Sequence, residues 1–124
     1  MTIQASVCVI AALFAAMGVF ALVWPARISA LVGTPELTLA GRNEVRAVYG
    51  GFGLAVASAL VWGLVSPRLG PGIFFALGLA VWGMAAGRVI SVLVDKKSEL
   101  LPWIFFAVEL VAGAVLIFAN IRSH

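Results

Sequence analysis

The sequence predicts an all-α integral membrane protein: a single-domain four-helix bundle over residues 1–124, with a short interfacial segment between helices 1 and 2. Three observations predict it. Of 124 residues, 64% are hydrophobic and only 10% charged, against about 25% charged in a soluble domain. Mean hydropathy is +1.17. Four apolar runs, at about 6–24, 45–65, 73–94 and 101–121, each approach the ~20 residues with which a helix crosses the hydrocarbon core.

The first run, Ser6 to Trp24, has no Lys or Arg before it. Its apolar length exceeds the ~7–15 residues of a signal-peptide core, so it is expected to remain as a helix of the mature chain. The stretch PARISALVGTPELTLAGR that follows is too polar to cross lipid and is broken by Pro25, Gly33, Pro35 and Gly41. Pro25 suits a first helical position, Gly33 a C-terminal cap and Thr34 a second N-cap, which predicts one or two short helices at the interface.

The second run carries Ala47, Gly51, Ala55, Ala59 and Gly63 at four-residue spacing, and the third Gly83, Gly87 and Ser91. Such stripes let membrane helices approach closely, so spans two and three are expected to pack along them. The connections Ser66–Gly72 and Asp95–Glu99 are short, and short links make sequential helices antiparallel neighbours. Trp24 and Trp103 then lie near one face of the membrane, side A, and Trp62 near the other, side B, as an aromatic belt requires. Trp82 falls mid-span, where an indole fills a core or faces lipid. Asn120, Arg122 and His124 read as a polar stop at side B.

The ionisable residues carry the functional signal. At ~1.5 Å per residue, Arg88 lies about 10 Å inside the side A end of span three, and Glu109 about 12 Å inside that of span four. Charges at such depth are costly unless paired or hydrated, so they face the protein interior and are functional candidates. Their matching depth predicts an Arg88–Glu109 ion pair. Arg88, Ser91 and Asp95 share a helical face, and Glu44, Arg46 and Tyr49 enter from side A on span two. A structural clamp and a polar pocket are both consistent with this cluster. The three guanidiniums Arg42, Arg46 and Arg88, with about five N–H donors each, exceed what Glu44, Asp95 and Glu109 readily satisfy. That excess predicts a cavity lined by Arg46, Tyr49, Arg88 and Glu109.

The string Asn43-Glu44-Val45-Arg46-Ala47-Val48-Tyr49-Gly50-Gly51 resembles the N-E-[IV]-R-x-[MV]-Y-G-G segment of the domain of unknown function 4345 family, small four-helix membrane proteins of bacteria. Gly87-Arg88-Val89-Ile90-Ser91 followed by Asp95 is similar to its G-R-x-x-S…D segment, and Glu109 falls where a family glutamate enters the fourth helix. The resemblance implies location in the bacterial inner membrane and supplies no reaction.

The function expected is non-enzymatic binding, through Glu44, Arg46, Tyr49, Arg88, Ser91, Asp95 and Glu109, of a lipid-like or amphiphilic small molecule or of a partner membrane helix. A homodimer would be one such partnership, and membrane lipid is the surrounding partner in any case. Arginine would meet an anionic headgroup through paired N–H donors, with Gly50, Gly51 and Gly53 leaving room. A dimeric transporter or channel is the alternative, but the first span holds no charge. An enzyme is third: no catalytic residue stands out, because no His or Cys–His arrangement lies near the carboxylates. Cys8 and His124 are single, so no Cys/His metal cage, internal disulfide or cofactor is expected. The net charge of +3 belongs to flanking residues and implies no nucleic acid. Arg27, Arg42, Arg46, Lys96 and Lys97 on side A, against Arg68 and Arg122 on side B, point side A toward the cytoplasm.

Overall fold

A computed structural model of the chain describes every residue except Ser98, Ser123 and His124. The part of the expected side B stop that rests on His124 therefore lies outside the described residues. Those described form helices and connecting turns, with no strand. The helices are α1 (Ile3–Val23), α2 (Pro25–Leu31), α3 (Leu39–Val45), α4 (Phe52–Val65), α5 (Gly70–Asp95) and α6 (Leu100–Arg122), with a π-helical segment, Arg46–Gly51, joining α3 to α4. Four helical stretches are long and apolar enough to cross a membrane: Ile3–Val23, Leu39–Val65, Gly70–Asp95 and Leu100–Arg122.

Each stretch begins before its apolar run does, because caps rather than hydropathy set helix ends. The Thr2 hydroxyl accepts the Ala5 N–H ahead of α1. Thr38, not Thr34, caps α3, its hydroxyl accepting the Gly41 N–H at 3.0 Å. Thr34 is committed elsewhere: α2 opens on Pro25 and closes on Gly33, whose φ of 75° needs no Cβ. There the Gly33 N–H bonds Ala30 O and the Thr34 N–H bonds Ser29 O, the paired pattern of a Schellman ending. The Thr34 hydroxyl donates to Ser29 O at 2.6 Å and touches the Ser29 hydroxyl. At the far end of α5, Lys96 takes a left-handed φ of 55° and stops the helix.

The chain divides into two compact units, Cys8–Val61 and Met1–Val7 with Trp62–His124. In the first, α1 meets the π segment and α4 through glycines. A Cβ on Gly18 would lie 2.9 Å from Leu54 Cγ and 3.0 Å from Gly50 O, and one on Gly50 would lie 2.7 Å from Leu22. In the second, α5 buries Gly70, Phe74, Gly78, Val81 and Ala85, and α6 buries Glu109, Gly113, Leu116 and Ala119. These sets repeat at three and four residues, the spacing of one helix face. A Cβ on Gly78 would lie 2.8 Å from Ile117, and the Trp82 indole occupies the space where a Cβ of Gly113 would stand.

Of the small-residue stripes, Ala47, Gly51, Ala55, Gly83 and Gly87 lie off the buried faces of their own helices. Ala47, Gly51 and Ala55 are exposed, and nothing lies within 4 Å of a Cβ built on Gly83 or Gly87. On span two, Ala55 stands two residues from buried Gly53 and Ala57, about 200° around the helix. At the π segment the Phe52 N–H reaches back five residues to Ala47 O, so that turn holds one residue more than an α-turn. The less exposed positions include Gly41, Val45, Gly50, Gly53, Val56, Ala57, Leu60 and Gly63, and the five-residue step from Val45 to Gly50 falls at that turn. Spans two and three do meet at their connection, where Gly63 faces Phe74 and Gly70.

Candidate functional site

On α5 the buried heptad-like face Phe74, Gly78, Val81, Ala85 continues one step to Arg88, and on α6 Glu109 opens the buried face. The helix pair therefore brings the two charges together. Arg88 Nε donates to Glu109 Oε2 at 2.8 Å and Arg88 Nη2 to Oε1 at 2.7 Å. This is the two-pronged geometry in which a planar guanidinium matches a carboxylate. Glu109 keeps 8% of its surface exposed, so its charge is stabilised by the arginine rather than by water. Phe105, one turn before Glu109 on the same face, places its ring 5.1 Å from the Arg88 guanidinium carbon and adds a cation–π contact. The predicted pair is thus present, held by a Phe105–Glu109 couple at i, i+4 spacing.

One turn beyond Arg88, the Ser91 hydroxyl donates to Asp95 Oδ2 at 3.3 Å. Arg88, Ser91 and Asp95 then line an open groove of ≈ 870 Å³ together with the charged residues Lys97 and Glu99. Met84, Gly87, Val92 and Pro102 supply its apolar wall. Gly87 has no neighbour where a Cβ would be, which leaves the groove open at that point.

The other candidates from the sequence lie in the first unit. Glu44, Arg46 and Tyr49 are all exposed there. Arg46 is occupied locally: its Nε donates to Leu22 O at 3.0 Å, one of the carbonyls that the last turn of α1 leaves without a helical donor. A cation at that end also complements the helix dipole. Of the three glycines expected to leave room, Gly50 faces Leu22 and Gly53 faces Met17 and Phe14, both from α1, whereas an added Cβ on Gly51 would meet only Arg46 O, at 3.9 Å.

Sequence reasoning passed over Lys97, Glu99 and Phe105. Lys97 and Glu99 were visible as turn charges two and four residues past Asp95, and the i, i+4 spacing of Phe105 and Glu109 was a usable signal. Trp82 was read as filler, yet its Nε1 donates to Leu110 O at 3.1 Å. No periodicity announces a side-chain bond to a carbonyl 28 residues away.

A family model described as "Domain of unknown function (DUF4345)" matches residues 2–120, and the chain belongs to that family. No curated protein and no solved structure matches it.

Proposed function

We propose that this small helical protein is a non-enzymatic binding module of the bacterial inner membrane, which holds the polar headgroup of a lipid-like amphiphile in the groove beside α5. One observation carries the reading. An open groove of ≈ 870 Å³ is lined both by polar residues, Arg88, Ser91, Asp95 and Lys97, and by apolar ones, Met84, Gly87 and Val92. A lipid carries both characters, a polar head continuous with an apolar chain. The Arg88–Glu109 pair supports the wall without being consumed as chemistry, because a carboxylate locked in a two-pronged contact is a poor general base.

The test is native mass spectrometry of protein purified from membranes with minimal detergent washing. The wild type should retain one lipid-sized adduct. Gly87→Trp, which fills the groove at a position with no neighbour, should lose it while the helical content stays unchanged. A wild type that flies bare under conditions that keep lipid on a control membrane protein would sink the reading.

A partner helix is the second reading, favoured by the outward face of Gly83, Gly87 and Ser91, all exposed. Small residues at this spacing suit close helix approach. Cysteine introduced at Gly83 and crosslinked in membranes should then give a dimer or a defined heteromeric band, and uniform monomer would exclude it.

A further inference from the structure

We infer that the groove beside α5 selects a zwitterionic phospholipid headgroup carrying a primary ammonium, with Asp95 taking the ammonium and Lys97 the phosphate. This rests on the headgroup-binding reading above and narrows its ligand. Asp95 and Lys97 line the groove with opposite charges and, among the described residues, form no ion pair with each other. Among the described residues Lys97 makes no ion pair, although it lines the same groove as Asp95. From the described residues, Asp95 accepts a single long bond, 3.3 Å from the Ser91 hydroxyl. An ionised carboxylate offers about four lone-pair sites and an ammonium about three N–H donors, so both groups keep most of their bonding capacity.

An anionic headgroup would leave Asp95 facing like charge. Arg88 does not offset this, since its Nε and Nη2 both donate to Glu109. A ligand with its own ammonium and phosphate satisfies both Asp95 and Lys97, and opposite charges matched across a contact are what set specificity. A quaternary ammonium is disfavoured on separate grounds. It has no N–H to give Asp95, and its usual recognition is a cage of aromatic rings, whereas the lining residues include no aromatic side chain. The apolar wall of Met84, Val92 and Pro102 argues for the lipid itself over the free headgroup, because only the lipid brings a chain to lie along it.

The experiment compares lipid retention by native mass spectrometry after exchange into equimolar ethanolamine-, choline- and glycerol-headed phospholipids with identical acyl chains. Wild type should retain the ethanolamine lipid about tenfold over the other two, the scale of one charge-assisted hydrogen bond. Asp95→Asn should erase the preference for ethanolamine over choline while total lipid retention persists. Lys97→Gln should weaken retention of all three phosphate-bearing lipids, and Asp95→Glu should restore much of the preference. Soluble phosphoethanolamine added at millimolar level should displace little of the bound lipid, and full displacement would overturn the lipid as ligand. Equal retention of the three lipids by wild type, or a glycerol preference untouched by Asp95→Asn, overturns the inference and leaves the groove as a general lipid site. Absence of any retained lipid, or retention insensitive to Gly87→Trp, removes the groove reading and the inference together.

Discussion

Arg88 and Glu109, twenty-one residues apart in sequence, meet through two hydrogen bonds of 2.8 and 2.7 Å. Side-chain exposure is 30% for the arginine and 10% for the glutamate, so the two partners do not stand to lose equally. Removing Arg88 strands a buried carboxylate, whereas removing Glu109 leaves a guanidinium that the protein covers less completely. Arg88→Ala should therefore destabilise by about 3–5 kcal/mol, and Glu109→Gln by less. The double variant should cost less than the sum of the two, measured by thermal unfolding in detergent. Additive losses would mean that the pair contributes nothing as a pair.

Trp82 and Gly113 form a second joint between α5 and α6. A methyl group on Gly113 would occupy the same space as the indole, and the indole N–H bonds Leu110 O. Gly113→Ala should destabilise by about 1–3 kcal/mol, in the range of overpacking. Trp82→Phe, which keeps a ring but loses the donor, should cost about 1 kcal/mol. If Gly113→Ala were harmless, the close approach of the helices at this level would be wrong.

Glycines of similar appearance in the sequence should behave oppositely. Gly83 has no neighbour within 4 Å of an added Cβ, while Gly18 has three at 3.0 Å or less. Gly83→Ala should be neutral or stabilising by up to about 1 kcal/mol, because alanine favours the helix. Gly18→Ala should destabilise, since Leu54 and the Gly50 carbonyl must give way. Melting temperatures of the two variants, compared with wild type, decide this.

The π segment predicts the effect of a deletion. It holds one residue beyond an α-turn, so removing Val48 should convert it to α-helix and keep Gly41 and Val45 in phase with Gly50 and Gly53. Circular dichroism should show a folded helical protein. Deleting Val61 from the regular helix α4 should instead rotate Gly63 away from Phe74 by about 100° and lower the melting temperature more. Equal damage from the two deletions would argue against the register described.

The four spans, the Pro25 start and Gly33 end of α2, and the partnership of Arg88 with Glu109 could all be read from the sequence, because each depends on distance along a helix. A rise of about 1.5 Å per residue turns sequence position into depth directly, and a positive-φ cap or a proline start is a local backbone requirement. What depends on direction around a helix was decided by tertiary structure. The extra residue in the turn at Arg46–Gly51 sets the face of α3 relative to that of α4, and the same segment carries Arg46, whose Nε reaches Leu22 O. On α5, two faces of small residues were available, Gly78 with Ala85 and Gly83 with Gly87. The Trp82 wedge and the Arg88 pair, both to α6, selected the first. Those contacts join residues 21 and 28 positions apart, beyond the reach of any helical period, and they leave the groove on the open side.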